Sequence, residues 1–269
     1  PDMLQLVRLH PDLRLVEAPA NNVVYLAMNT ERRPFHDPRV RQAVNHAFRK
    51  EPFLGLVFQG MASPAVGPLP PSMTPYYTAD VQRYDYDPKR ARRLLQEAGY
   101  DPSLRPKLLV MDAPRSYLPQ PRLAASMILR DLQAIGMQID LQILPFSEQK
   151  RQLSLGVHDL GLIGWTGDNG DPDNFLYTLL DSDNAAYGSG LNYAFYREYT
   201  FHKLVIAARE SLSQAERVRY YHEAQRIAAI TCPWVPIGHA KVAVAMRREV
   251  RGFRVHPTSV LYLHSVTLR

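Results

Sequence analysis

The stretch of this chain richest in groups capable of chemistry is GWTGDNGDPDNF, Gly164 to Phe175, which places three carboxylates and two asparagines in the seven positions from Asp168 to Asn174. Carboxylates clustered in this way can bind a divalent cation, hold a cationic ligand or cap a helix, and the residue types alone leave all three open. The calcium-loop spacing D-x-[DN]-x-[DN]-G fails, because from Asp168 the third position is Gly170 and from Asp171 the fifth is Phe175. Asp171-Pro172 would cap a following helix well. Trp165 beside the loop suits either the core or the wall of a pocket, core being the more ordinary fate. The enzymatic reading of the same residues is a metal-dependent hydrolase using Asp168, Asp171 and Asp173.

No other catalytic constellation is present. The chain contains no GxSxG elbow, GxGxxG turn, Walker loop or HExxH pair. None of its nine histidines lies three or four residues from another, so a helical metal site is not expected, and His46, His222 and His239 read as locally satisfied or surface imidazoles. The single cysteine, Cys232, cannot close an intramolecular disulfide and reads as a buried bystander. A net charge of +6 invites a nucleic-acid reading, but the 32 basic residues are scattered. The densest groups, Lys89 to Arg93 and Arg247 to Arg251, are interrupted, which fits solvated faces and not a binding patch. No apolar run approaches the ~20 residues needed to cross a bilayer.

The elements that must position the loop can be read from periodicity. Leu160 to Trp165, immediately before it, is an apolar run of strand length, as are Val23 to Met28 and Lys107 to Met111. Met137 to Ile143 alternates apolar with polar residues and predicts a strand with one wet face. Val235 to Ala240 and Val242 to Met246 read as two further strands. Helices are expected after the N-cap signals Asp37-Pro38 and Asp87-Pro88, the latter closed by Gly99, and over about 52–59, 120–135, 147–155, 198–211 and 215–230. Ser213 with Glu216 forms a capping-box pattern before the last of these. The proline-rich stretch Ala62 to Pro75 is expected to exclude regular structure and to be a loop within the domain. Strands alternating with helices predict an α/β domain, in which loops at the carboxyl ends of strands bind ligands. The chain opens at Pro1 without an initiator Met or secretory signal, and residues 1–22 read as the end of a helix and a short strand with something upstream missing.

GWTGDNGDPDNF resembles the signature loop of the periplasmic dipeptide-binding proteins, the family 5 extracellular solute-binding receptors of ATP-binding-cassette peptide importers. Further agreement comes, in order, from VVYLAMNTERRPFHDPRVRQAVNHAF from Val23, QGMASPAVGPLPPSM from Gln59, YDYDPKRARRLLQEAGY from Tyr84 and VPIGHA from Val235. The resemblance covers nearly the whole chain. It implies an α/β fold with a mixed sheet flanked by helices, the second lobe of a type II periplasmic-binding-protein-like architecture whose members are about twice as long. On that comparison residues 1–21 are the tail end of an otherwise missing first lobe, 22–240 the second ligand-binding lobe, and 241–269 strands returning toward the first lobe.

The function so implied is that of a receptor, not an enzyme. It would capture a short peptide, a dipeptide foremost, in the periplasm or at the outer face of the cytoplasmic membrane, and deliver it to a membrane permease. No cofactor, metal or nucleic acid is expected, and glutathione or haem are alternative ligands for the same role. Matching by motif puts the peptide amino group on Asp168 and its carboxylate on Arg115, in MDAPRSYLPQPR, with Trp165, Thr166 and Gly167 completing the site and Asp171 and Asp173 left as caps. The physics agrees: a zwitterion taken into a closed cleft needs both charges paired, and the planar guanidinium fork suits a carboxylate. Similar receptors often carry a disulfide soon after this loop, whereas Asp181 to Tyr196 contains no cysteine. With the first lobe absent, Asp168 and Arg115 would face water, and uncovered apolar surface would favour self-association.

Overall fold

The run Asn22–Met28 is buried at every position, as a strand covered on both faces must be. It forms the centre of the computed structural model, which describes residues 2–258 and 260–268; Pro1, Ser259 and Arg269 lie outside the described residues. In chain order the elements are α1 (Asp2–Leu9), β1 (Leu13–Pro19), β2 (Asn22–Met28), α2 (Pro38–Ala47), α3 (Lys50–Phe58), β3 (Ala62–Pro64), α4 (Pro88–Glu97), β4 (Lys107–Met111) and α5 (Pro121–Gln133). There follow β5 (Asp140–Leu144), α6 (Phe146–Ser154), β6 (Leu160–Thr166), α7 (Asp173–Leu180), α8 (Tyr199–Glu210), α9 (Gln214–Thr231), β7 (Trp234–Arg247), β8 (Val250–Arg251) and β9 (Thr267–Leu268).

The main sheet runs β1-β7-β2-β6-β4-β5, with β3 also on β7, and helices pack against it. It is mixed. β4 lies parallel to both β5 and β6, while β2 is antiparallel to β6 and β7. The crossovers through α5 and α6 leave the carboxyl ends of β4 and β6 side by side, and these ends open onto the segments containing Arg115 and Asp168.

Helix starts follow the expected chemistry. Asp37 accepts from the Arg39 amide with Pro38 in the first helical position, and Val40, Ala43, Val44 and Ala47 are buried at the spacing the sequence predicts. Asp87 accepts from the Lys89 and Arg90 amides, and Gly99 takes the left-handed conformation at φ +64° where a side chain would be strained.

Three expectations are corrected. The two C-terminal strands are one, β7, whose first half pairs with β2 and β3 and whose second half pairs with β1. Polar Lys241 does not break it, because β1 and β2 follow one another along its flank and keep the ladder occupied. The proline-rich stretch does contain regular structure: Ala62–Pro64 adds to the edge of β7, with Pro64 terminal, where its missing N–H costs least. Met137 does not open β5. Its N–H donates to the Leu132 carbonyl at 3.1 Å, with Gly136 left-handed at φ +93°, so it closes α5 and β5 begins only at Asp140.

At the junction of β1 and β2 the Asn22 side chain imitates a strand neighbour. Its Nδ2 donates to the Ala240 carbonyl at 2.9 Å and its Oδ1 accepts from the Ala240 amide at 2.7 Å. Beyond that point β1 and residues 241–247 of β7 continue as a two-stranded ribbon.

Candidate functional site

The candidate site is built where β6 ends. Gly164 lets the strand pass close under Tyr117: a Cβ at 164 would come within 2.4 Å of the Tyr117 ring and 2.6 Å of the Val23 carbonyl. Gly167 is buried, its N–H donates to the Asn21 carbonyl at 2.7 Å, and a Cβ there would meet the Phe175 ring at 2.7 Å. Its part is therefore to let the loop turn over Phe175, with its amide already engaged.

The loop is held by a residue the sequence reading left without a role. Asn174 Oδ1 accepts from the Trp165 indole Nε1 at 2.8 Å and from the Asp168 amide at 3.1 Å. One side chain thereby fixes both the orientation of Trp165 and the backbone that carries Asp168.

The three carboxylates of the loop do not converge. Pro172 occupies the N-cap position of α7, and Asp171, one residue before it, accepts from the Asp173 amide at 3.0 Å. It is also held by Arg217, whose Nη2 donates to its two oxygens at 2.9 and 2.6 Å. Asp173 is not a cap, in contrast to expectation. It occupies the first position of α7, where a negative charge suits the helix dipole, and pairs with Arg209 at 2.8 Å. Burial raises its pKa, opposed by Arg209. With two carboxylates turned onto arginines of α8 and α9, the loop does not form the shared metal cluster a hydrolase would need. Among the described residues the group of ligand-type side chains that does lie within 4.8 Å is Asp181, Asp183 and His202, at the far end of α7.

Asp168 is different. It is exposed, makes no ion pair among the described residues, and lines a cavity of about 210 Å³ together with Tyr25, Tyr117, Phe146, Lys150, Trp165 and Thr166. Ile163, Leu191 and Tyr193 complete the wall. Trp165 is therefore part of a pocket wall while also packing on the core. Arg115 is not among the residues that line this cavity and adjoins it through Phe146. Its segment is pinned by reciprocal backbone bonds with Leu118, both 3.0 Å, and its guanidinium stacks over the Phe146 ring at 3.9 Å. It too has no carboxylate partner among the described residues. The floor is phenolic: burial pushes Tyr117 and Tyr193 up to about 12 and raises Tyr25 well above its ordinary value, so all three remain neutral. The Tyr117 hydroxyl is buried without a hydrogen-bond partner.

The segment after α7 is braced without a disulfide. Asn192 Nδ2 donates to the carbonyls of Asp181 and Tyr196, both at 3.0 Å, and its Oδ1 accepts from the Tyr196 amide at 3.3 Å. The buried Asp181 carboxylate contacts His202 Nδ1 at 3.0 Å, and Asn184 Nδ2 donates to the Tyr177 carbonyl at 3.0 Å. His46, His222 and His239 each contact a backbone carbonyl, of Asp85, Pro75 and Asn22, and Cys232 is buried with its thiol raised to about 11 by burial.

Residues 1–187 match the middle region of the bacterial extracellular solute-binding proteins, family 5. The chain belongs to that family. Among its family 5 relatives, di/tripeptide-binding protein 2 of Pseudomonas aeruginosa is 37% identical over 96% of this chain and 48% of its own length. Heme-binding protein A of Haemophilus influenzae is 34% identical over 94% of this chain and 46% of its own length. A crystal structure of a dipeptide-binding protein from Pseudoalteromonas sp. SM9913 in complex with Met-Leu superimposes with a TM-score of 0.87 at 29% identity, covering the whole of this chain and 52% of that one. The chain thus spans about half the length of the relatives it matches. Among the described residues no helix is long and apolar enough to cross a membrane.

Proposed function

We propose that this chain supplies the ligand-holding lobe of a peptide receptor for an ATP-binding-cassette importer, with a dipeptide as ligand. The observation that carries the reading is a pair of opposite charges without ion-pair partners among the described residues, Asp168 in the lining of an aromatic-walled cavity and Arg115 stacked over Phe146 of the same lining. Their neighbours Asp171 and Asp173 are taken up by arginines. Asp168 receives the peptide ammonium and Arg115 the carboxylate, so ligand length is set by these two groups while the cavity accepts a range of side chains. Haem suits this arrangement poorly, since it presents two propionates and no ammonium for Asp168. Glutathione carries both charges and belongs in the test as a competitor.

On the same reading, residues 1–21 and 241–269 are the crossing strands and tail of a first lobe supplied by the rest of the polypeptide, and 22–240 is the second lobe. The permease at the membrane and a periplasmic setting, or one at the outer face of the cytoplasmic membrane, follow from the receptor role. With one lobe, neither charge is desolvated and affinity is weak. The test is calorimetric titration of mixed dipeptides, haem and glutathione into this chain and into the polypeptide extended upstream, each beside Asp168→Asn. Dipeptide binding by the extended protein that the substitution abolishes supports the reading. An extended protein that ignores dipeptides, or a mutant that binds as well as its parent, overturns it.

A further inference from the structure

A second and larger cavity, about 430 Å³, opens between the start of α3, the Pro64–Pro68 segment and the first residues of β7. That volume lies in the range of small-molecule sites. Its apolar walls include Phe48, Tyr84, Val235 and Trp234. Trp234 is only 4% exposed, and its indole N–H has no hydrogen-bond partner. It also stacks on Tyr25, centroids 3.5 Å apart and planes within 11°, so the two cavities meet opposite members of one aromatic pair.

The polar side of this cavity favours one negative charge. Lys50 in its wall donates from Nζ to the Ala65 carbonyl at 2.6 Å and has no carboxylate partner among the described residues. A neutral carbonyl leaves the ammonium without an ion pair, and burial lowers its pKa to about 8, with Glu51 opposing that shift and Arg83, also in the wall, adding to it. The adjacent Arg49 is by contrast paired with Asp131 at 2.6 Å. Lys50 also begins α3, whose first turn lines the cavity and receives no side-chain cap. A cation at that end opposes the helix dipole and an anion satisfies it. The carboxylates of Glu51 and Asp85 line the cavity too and would repel a polyanion.

We propose that this cavity is a second ligand site that takes a small aromatic monoanion. The carboxylate or sulfonate lies between Lys50 and the first turn of α3, and the ring lies against Trp234, Tyr84 and Phe48. The inference does not rest on the peptide reading.

The chain holds two tryptophans, Trp165 in the wall of the first cavity and Trp234 in that of the second, which makes the site optically addressable. The probe is 8-anilinonaphthalene-1-sulfonate, followed by its own fluorescence and by energy transfer from tryptophan. Saturable binding is expected, weakened about tenfold or more by Lys50→Met and largely retained in Lys50→Arg. The greater share of the transfer should be lost in Trp234→Phe and kept in Trp165→Phe. Non-saturable binding, undiminished affinity in Lys50→Met, or transfer carried mainly by Trp165 overturns the proposal. The last measurement stands even if the lysine variants fold poorly.

Discussion

Asp168, Asp171 and Asp173 stand within six residues of one another, yet their surroundings give them different work. Arg217 and Arg209 hold the second and third, and the first is left to the cavity. Asn174 keeps it there, so Asn174→Ala should cost about 1 to 2 kcal/mol through two lost hydrogen bonds and should weaken peptide binding by the extended receptor. Urea unfolding paired with titration reads both effects, and a variant that loses stability without losing affinity would remove Asn174 from the site. Gly164→Ala should destabilise by about 1 to 3 kcal/mol, because the Val23 carbonyl in its way is backbone. An unchanged denaturation midpoint would show that the strand shifts freely. Asp168 and Arg115 are singled out only by the family resemblance of the strings that carry them, since the residue types alone leave their roles open. Asn174 lies in the same string, but its role depends on a turn that brings Trp165 and Asp168 together, and the sequence carries no sign of that turn. The phenols of Tyr25, Tyr117 and Tyr193 meet from three separate segments and were illegible for the same reason.

Elements with a strong period and a cap were legible, and α2 and α4 are where Asp37-Pro38 and Asp87-Pro88 place them. What periodicity missed was decided by partners. Lys241 looks like an interruption until β1 is seen to hydrogen-bond past it, and Met137 looks like strand until Gly136 turns it back onto α5. The segment from Asp181 to Tyr196 is braced by side-chain amides. No cysteine is available, and the carboxamide of Asn192 ties three backbone groups instead. Asn192→Ala should therefore cost roughly 2 kcal/mol or more and speed amide exchange locally in residues 181–196. Exchange that rises equally across the chain would mean the bracing is global and not confined to this segment.

The whole molecule should be sensitive to mild acid through two buried imidazoles. His158 Nε2 and His239 Nδ1 each contact a carbonyl, so those nitrogens carry the proton and donate, and the opposite nitrogens are buried without partners. Protonating either would bury a bare charge, and burial accordingly lowers both to about 4. Since the unfolded value is about 6.5, their contribution is complete above that pH and is lost as pH falls toward 4. The slope is up to about 1.4 kcal/mol per pH unit for each. Chemical denaturation at a series of pH values checks this, with His158→Gln expected to flatten the slope and a flat profile in the parent sinking the explanation. The outer surface of α1 shows Met3, Leu6 and Leu9 at 69, 62 and 80% exposure. Sedimentation should reveal concentration-dependent association that Leu6→Glu with Leu9→Glu reduces; a monomer at all concentrations would count against it. Asn21, between β1 and β2, receives the Gly167 amide on its carbonyl and the Ser72 hydroxyl on its side chain, while its own N–H reaches Pro257. It is a knot tying the ribbon, the proline-rich segment, the C-terminal tail and the Asp168 loop. A twist of the ribbon would therefore be felt at that loop through the Asn21 backbone, alongside the Asn22 to Thr166 pairing that joins the same two segments.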